Sequence, residues 1–384
     1  MERLAGRVIL LWGWRRYALA LAAGGLLVLA QAPVDFAAAG FVSFPLLIWL
    51  LDGATERSPV SLWRRFWPFF AVGWWFGLGY FLAGLWWVGN AVFVEAESFL
   101  WALPFMVLGL PLLMAPFFGL ATVLSRLFWD DGLGRILSLA FGFAIAEWLR
   151  GWAFTGFPWN PVGYGLMPTP LLMQSAHEIG TAGMNAAAVF LFAAPALVVG
   201  GRLWRTGLSL ALLLGLLHVG YGAWRLSAPV VDARMLPVRI VQPSIDLSEK
   251  WDGAVRDRVL QTTLDLSQGP PPEGAEAPEL IVWPETAVPF LLTERPDALA
   301  AIGAVGESGR LVLAGAVRAE AQQSGTQPLF YNSLVAVGAD GTIVDAVDKV
   351  HLVPFGEYLP FQPIFDQFGV TQIVAGPMNF APGA

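Results

Sequence analysis

Apolar residues form long runs up to position 228, and short β-branched runs alternate with amphipathic segments beyond position 237. A helix that crosses a bilayer needs about 20 predominantly apolar residues. Seven runs are predicted to be spans: 17–34, 36–51, 67–89, 99–124, 133–150, 175–200 and 207–224. The second run is short, so the first two alternatively form a hairpin that does not cross fully. We therefore predict a transmembrane domain at 1–228 and a second domain at 237–384.

The second domain contains patterns of both strands and helices. A DG turn at Asp340–Gly341 separates two β-branched runs and predicts a hairpin. Strand, helix, strand, helix and then paired strands is the order of an α/β layered domain. The predicted strands are 238–244, 279–286, 310–318, 331–338 and 342–350, and the predicted helices are 254–266 and 298–305.

Composition agrees with a membrane protein, because 56% of the residues are hydrophobic and only 13% are charged, against about 25% charged in soluble domains. Residues 1–228 hold 13 Arg and 10 acidic residues, whereas 229–384 hold 9 basic and 19 acidic residues. An acidic second domain without a basic cluster argues against nucleic-acid binding. The 384 residues include no Cys, which excludes a disulfide, a thiolate metal site and a thiol nucleophile within them. The three His are scattered, so no metal or other cofactor is implied.

The arginines of the short loops predict the orientation, because cytoplasmic loops are enriched in Lys and Arg. The loops on one side of the predicted spans carry eleven arginines, whereas those on the other side have only Arg150 and Arg225, both at span ends. The N-terminus is therefore predicted to be cytoplasmic, and seven spans place the second domain on the far side of the membrane. The eleven arginines of the cytoplasmic side are Arg3, Arg7, Arg15, Arg16, Arg57, Arg64, Arg65, Arg126, Arg135, Arg202 and Arg205.

The loop Gly151–Pro170 is too apolar for a solvated loop, and its Pro and Gly content predicts that it is not a regular helix. It joins two predicted spans on the outer side. Two interpretations remain open for it. It is either a re-entrant or interfacial plug, or a lipid-facing wall beneath the outer domain.

Three charged residues are candidates for chemistry. Lys349 ends a predicted strand, and Glu357 follows eight positions later on a loop rich in Pro and Gly. Glu285 follows the apolar run ELIVWP, and the end of a central strand is where α/β sheets place catalytic groups. Partial desolvation there would raise its proton affinity, which suits a general base. Alternatively, Glu285 is a turn carboxylate, with Thr286 as a helix cap.

The motifs VWPET, YNS before a DG turn, and DKVHLVPFGEY, in that order, resemble the carbon–nitrogen hydrolase (nitrilase) superfamily. With the preceding spans and a GFPW loop, the chain is similar to one branch of it, the apolipoprotein N-acyltransferases. The resemblance implies a multi-span α-helical membrane domain followed by an α/β nitrilase-like domain, an α-β-β-α sandwich, here incomplete. It implies Glu285 as general base, Lys349 as oxyanion stabiliser and Glu357 as a supporting carboxylate. It places Trp251 near the substrate entrance, although Trp251 is equally well explained as an interfacial anchor.

The resemblance implies a multi-pass protein of the bacterial inner membrane with a periplasmic catalytic domain, and we expect a monomer. It would move an acyl chain from a phospholipid to the N-terminal amine of a diacylglyceryl-cysteine apolipoprotein through a thioester. The family's nucleophile is a Cys, and its absence here leads us to expect a C-terminally truncated and inactive sequence. Alternatives are a membrane-anchored amidase of the nitrilase type and an inert lipid- or lipoprotein-binding relative.

Overall fold

The computed structural model describes most of the chain. The chain folds as two units, Met1–Phe93 with Leu100–Val230, and Val94–Phe99 with Val231–Ala384. The described residues are 2–55, 61–95, 100–199, 201–229, 235–245, 255–306, 309–322, 328–354, 356–363, 367 and 380–384.

The first unit is entirely helical in its described part. A 3-10 helix, Trp86–Glu95, continues the fourth α-helix, and a π-helix, Phe105–Gly109, leads into the fifth. The α-helices are α1 (Glu2–Ile9), α2 (Trp14–Leu27), α3 (Gly40–Gly53), α4 (Leu62–Leu85), α5 (Leu110–Leu127), α6 (Leu133–Arg150), α7 (Pro170–Met173), α8 (Ala176–Ala193) and α9 (Trp204–Ser227).

Four helical segments of the described chain are long and apolar enough to cross a membrane: Leu62–Phe93, Leu100–Leu127, Ala176–Val199 and Trp204–Ser227. The other three predicted spans coincide with shorter or more charged helices. Helices α2 and α3 have 14 residues each, about 21 Å at 1.5 Å per residue, against a hydrocarbon core of about 30 Å. With the adjoining 3-10 turns, Val28–Ala30 and Ala37–Ala39, each extends to 17 residues, so full crossing and the hairpin alternative both remain predictions. Helix α6 has 18 residues and includes Arg135, Glu147 and Arg150. Seven spans therefore remain a prediction.

Small residues let α2 and α4 approach each other closely. A Cβ on Gly24 would lie 1.8 Å from the carbonyl oxygen of Phe76, and one on Gly79 would lie 1.9 Å from that of Leu21. Neither position has room for a side chain, so backbone packs on backbone, as in many transmembrane helix pairs. An aromatic cluster fills the centre of the unit, with Phe44, Phe76, Phe118 and Phe143 all fully buried.

The segment 151–170 contains only short 3-10 turns, Ala153–Thr155 and Val162–Leu166, which confirms that it is not a regular helix. Arg150, at the end of α6, holds this segment. Its side chain is 1% exposed, pairs with Glu147 at 2.6 Å, and donates to the carbonyl oxygens of Phe157 and, at 2.7 Å, Trp159. A buried guanidinium therefore satisfies backbone acceptors that the absence of a helix leaves open.

Side chains of α4 fix the same segment from the other side. The Tyr80 hydroxyl donates to the carbonyl oxygen of Asn160 at 2.8 Å, and the Asn160 amide donates to that of Gly84 at 3.2 Å. Trp159 stacks on Trp87 with ring centroids 5.1 Å apart. The segment is thus attached to both α4 and α6.

The second unit contains a five-stranded mixed sheet in the order β1-β2-β3-β4-β5. Strands β1, β2 and β3 are parallel, and β3, β4 and β5 are antiparallel. Each of the five predicted strands is present, and so are the two predicted helices. The strands are β1 (Val238–Ile240), β2 (Leu280–Val282), β3 (Leu311–Glu320), β4 (Leu329–Val337) and β5 (Ile343–Asp348), and the helices are α10 (Arg256–Gln268) and α11 (Pro296–Val305).

Local chemistry explains the β4–β5 hairpin. Asp340 Oδ1 accepts a hydrogen bond from the backbone of Thr342 at 3.0 Å, and Gly341 has φ 77°, a conformation that favours glycine. The interior strands bury Ile281, Val312 and Val335. Among the described strands β5 pairs only with β4, and its Val347 is 64% exposed. The second unit therefore contains a sheet of parallel and antiparallel strands together with α-helices. The α-β-β-α sandwich remains a prediction.

Candidate active site

Glu285 lies three residues beyond the end of β2, an internal strand flanked by β1 and β3. The chain stays attached to β3 here, because Trp283 N donates to Leu313 O at 2.8 Å and Ala287 N donates to Gly315 O at 2.7 Å. A Cβ on Gly315 would lie 2.3 Å from Pro284 O and 2.7 Å from Glu285 Cα. Gly315 therefore gives the backbone of Glu285 room to lie against β3.

Thr286 does not cap a helix, so this part of the alternative interpretation is wrong. The next helical turn after it, Leu292–Glu294, begins six residues later. Thr286 itself has φ 44°, a conformation that is uncommon for a β-branched residue. The turn after β2 is thus sharp, and it presents the carboxylate of Glu285 at the carboxyl end of the strand.

Lys349 is the first residue after β5, and the backbone holds it from two directions. Its amide donates to Asn332 O on β4 at 2.8 Å, and its carbonyl oxygen accepts from Gly383 N at 2.9 Å. Glu357 is held by the loop that follows. Its carboxylate accepts from Val353 N at 2.6 Å, and its own amide donates to Val353 O at 2.9 Å.

The structure brings Glu285, Lys349 and Glu357 together. The Lys349 ammonium nitrogen lies 3.1 Å from Glu285 Oε1 and 2.9 Å from Glu357 Oε1. In the sequence, Glu285 lies 64 positions before Lys349 and Glu357 lies 8 positions after it. One cation therefore bridges two carboxylates, at the edge where β2 and β5 end.

Asn332, which the sequence analysis did not single out, belongs to the same cluster. Its amide nitrogen Nδ2 is in hydrogen-bond contact with Glu285 Oε1 and lies 2.7 Å from Glu357 Oε1. Asn332 is 6% exposed. The one signal in the sequence was an amide within an otherwise apolar strand, in the YNS motif. Its two N–H groups serve the same two carboxylates that Lys349 bridges.

The three charged side chains differ in exposure. The side chain of Glu357 is 12% exposed, that of Lys349 is 32% exposed and that of Glu285 is 62% exposed. Glu285 therefore lacks the partial desolvation that its position after a buried strand predicted, because the sharp turn at Thr286 directs it outward. Partial burial opposes the charge on Lys349, but hydrogen bonds to Glu357 and Glu285 outweigh it, so the pKa of the ammonium lies above its ordinary value.

Two parts of the predicted site lie outside the described residues. Trp251, predicted to lie near the substrate entrance, is one of them, and Phe355 within the VPFGEY motif is another.

The geometry allows a different chemical role for each of these groups. An exposed carboxylate beside an ammonium group can accept a proton from an incoming nucleophile. The ammonium, kept protonated by two carboxylates, can stabilise an oxyanion in front of it. Glu357 and Asn332, both largely buried, contact the other two groups and can orient them. The roles of Glu285, Lys349 and Glu357 remain predictions. No thiol is present among the 384 residues.

Comparison with known proteins gives a consistent result. Residues 23–194 match the family model of the apolipoprotein N-acyltransferase N-terminal domain. A curated protein of Brucella suis biovar 1, named apolipoprotein N-acyltransferase, is 54% identical over 386 aligned residues, which cover 100% of this chain and 73% of the relative. Proteins of the same name from Rhizobium etli and Rhizobium meliloti are 51% and 50% identical, covering 100% and 98% of this chain and 73% and 71% of their own lengths.

Proposed function

The chain belongs to the apolipoprotein N-acyltransferase family, a family of membrane-bound enzymes within the nitrilase superfamily, and we propose that it N-acylates lipoproteins. The acyl acceptor in this proposal is the N-terminal amine of a diacylglyceryl-cysteine apolipoprotein. The observation that carries the proposal is the cluster in which Lys349 bridges Glu285 and Glu357 at 3.1 Å and 2.9 Å. This arrangement suits acyl transfer, which requires a base and an oxyanion stabiliser on one edge of the sheet.

In the first half-reaction, a thiol attacks the ester carbonyl of a phospholipid. Glu285 takes the thiol proton, and Lys349 stabilises the negative charge that develops on the carbonyl oxygen, an effect worth about 3 kcal/mol. The C–O bond then breaks, the proton passes from Glu285 to the leaving alkoxide, and lysophospholipid departs. The products are a thioester on the enzyme and a free lysophospholipid. The thiol itself is not among the 384 residues.

In the second half-reaction, the α-amine of the lipoprotein attacks the thioester. Glu285 takes a proton from the amine as the C–N bond forms, and Lys349 again stabilises the oxyanion. The C–S bond breaks and the thiolate recovers the proton. An amide is formed and no water is consumed, which distinguishes this reaction from that of an amidase.

We place the protein in the bacterial inner membrane as a monomer, with the N-terminus in the cytoplasm and the sheet unit in the periplasm. The excess of Arg on one set of loops supports this orientation. Because both substrates carry acyl chains in the bilayer, the active site has to lie close to the membrane.

The test uses protein expressed from the complete gene and purified in detergent. A phospholipid with a labelled acyl chain is supplied with a synthetic diacylglyceryl-cysteine lipopeptide. We expect the label in an amide on the lipopeptide, and in a hydroxylamine-sensitive acyl-enzyme when the lipopeptide is omitted. Release of the label only as free fatty acid would indicate hydrolysis and would contradict the proposal.

A further inference from the structure

The face of the sheet behind the candidate site has a polar cluster of its own. Asn332 and Ser333 are consecutive on β4, so their side chains project to opposite faces. Asn332 binds the two carboxylates of the site, whereas Ser333 Oγ donates to Asp348 Oδ1 at 2.6 Å. Ser333 and Asp348 are register partners of β4 and β5. Asp348 directly precedes Lys349, so this cluster lies behind the catalytic lysine.

Arg318 of β3 completes the cluster. Its Nη2 lies 2.6 Å and its Nε 3.1 Å from the two carboxylate oxygens of Asp348. This is the two-point geometry that a guanidinium forms with a carboxylate and that a lysine cannot form. The guanidinium carbon lies 4.3 Å from the centre of the Tyr331 ring, which restricts its position further. The cluster thus connects β3, β4 and β5 through side chains.

Burial makes this pair more than a surface contact. The side chain of Arg318 is 30% exposed, that of Asp348 is 19% exposed, and Ser333 is 3% exposed. The hydrogen bonds from Arg318 hold the pKa of the Asp348 carboxyl below its usual range, even though partial burial opposes its charge, so Asp348 is ionised at neutral pH. A second ion pair, between Arg318 and Glu320 at 3.0 Å, involves a side chain that is 55% exposed.

Lys349 needs such support because its own side chain is long and flexible. Four carbon atoms separate its backbone from the ammonium group, and β5 pairs with β4 alone among the described strands. Hydrogen bonds from Lys349 N to Asn332 O and from Gly383 N to Lys349 O hold its backbone, and the side chain of Asp348 adds a fixed contact one residue before it. Asp348 is the last residue of β5, and Arg318 fixes it from two strands away.

We propose that Arg318 is a positioning residue that acts through Asp348 to fix the end of β5, and thereby the place of the Lys349 ammonium between Glu285 and Glu357. The effect of Arg318 on acyl transfer rests on the proposed function, whereas its effect on the position of Lys349 does not. A shift of about 1 Å in a catalytic group can cost about a hundredfold in rate. Loss of the Arg318–Asp348 pair should therefore slow the reaction without altering substrate binding.

The experiment compares Arg318→Ala, Arg318→Lys and Asp348→Asn in protein from the complete gene. Glu320→Ala is the matched control, because it removes the other ion pair of the same arginine and leaves Asp348 bound. The 384 residues contain only two lysines, Lys250 and Lys349. An amine-reactive reagent at fixed pH and peptide mass spectrometry therefore give the labelling rate of Lys349, with Lys250 as the internal reference.

We expect Arg318→Ala and Asp348→Asn to increase the labelling ratio of Lys349 to Lys250 at least threefold. Arg318→Lys should have a smaller effect, and Glu320→Ala should leave the ratio unchanged. The rate of acyl-thioester formation should fall about tenfold to a hundredfold in the first two variants, with the apparent KM for phospholipid unchanged. If Arg318→Ala does not fold, the other two variants still test the ratio.

A labelling ratio that is equal in all the folded proteins would overturn the proposal. If the unaltered protein lacks acyl transfer but the variants still change the labelling ratio, the result would support the positioning role of Arg318 and contradict the proposed function. A rise in apparent KM without a change in the labelling ratio would assign Arg318 to substrate binding and would also overturn the proposal.

Discussion

Replacing Asn332 with aspartate would place a third carboxylate among Glu285, Glu357 and the ammonium of Lys349. The amide nitrogen of Asn332 lies 2.7 Å from Glu357 Oε1 and contacts Glu285 Oε1 as well, in a position that is 6% exposed. Two hydrogen bonds to charged acceptors, each worth about 1.5–3 kcal/mol, would be lost. At an effective dielectric constant of about 20, two unit charges about 3 Å apart repel by about 5 kcal/mol. The altered site would therefore take up a proton near neutral pH.

The extra proton gives the variant a distinctive pH dependence. At pH 8 the three carboxylates repel one another and both hydrogen bonds of Asn332 are lost, so the rate of acyl-thioester formation should fall at least a hundredfold, about 2.7 kcal/mol. At lower pH the aspartate itself becomes protonated and can donate one hydrogen bond again, so part of the loss should be recovered. Asn332→Ala is the matched control, because it removes both hydrogen bonds without adding a charge and should be impaired equally at every pH.

The assay measures the labelled acyl-enzyme formed from phospholipid between pH 5.5 and 8.5, normalised to unaltered protein at each pH. Asn332→Asp with an unaltered rate at pH 8 would refute the assignment of Asn332 to the site. A profile parallel to that of Asn332→Ala would refute the electrostatic part of the reasoning.

Three further predictions concern the surroundings of the site and the membrane unit. Because the pKa of Asp348 is lowered in the folded protein, its contribution to stability is present above the ordinary Asp pKa of about 3.9 and is lost as pH falls through the folded value. The Tm in detergent should therefore fall over that range, and it should fall less in Asp348→Asn; an equal fall in both proteins would contradict this. A Cβ on Gly315 would lie 2.3 Å from Pro284 O, so Gly315→Ala should displace Glu285 and slow thioester formation at least tenfold; an unaltered rate would contradict this. Arg150→Ala leaves a buried carboxylate unpaired and should lower the free energy of unfolding by about 3–5 kcal/mol, seen as a lower Tm in detergent, whereas an unchanged Tm would argue against the role of Arg150 in holding segment 151–170.

The sheet was predictable because its signals are local. Alternating β-branched runs marked all five strands within a few residues, and Asp340–Gly341 marked the only turn between β4 and β5. The proximity of Lys349 and Glu357 followed from eight residues of sequence. That of Glu285 came from the strand-end argument and from the family motifs.

The remaining features depend on contacts between distant segments. Asn332 meets Glu285 only because β3 lies between β2 and β4; the DG turn predicts the β4–β5 hairpin, but nothing near Asn332 in the sequence predicts the pairing of β4 with β3. The exposure of Glu285 depends on the turn at Thr286, whose backbone conformation a β-branched residue does not predict. Likewise, α2 ends at Leu27, before the end of the apolar run at 34, and α3 begins at Gly40, after the start of the run at 36, because hydropathy records composition and not where a helix begins or ends.

The central claim is that Lys349 supplies the charge that stabilises the acyl-transfer oxyanion, and one measurement tests it directly. Acyl-thioester formation is followed in Lys349→Ala protein expressed from the complete gene. Asp345→Asn, an exposed position on the same strand, serves as the control for folding and insertion. We expect Lys349→Ala to abolish the thioester, whereas Asp345→Asn should form it at the unaltered rate. A normal yield of acyl-enzyme from Lys349→Ala would contradict the account.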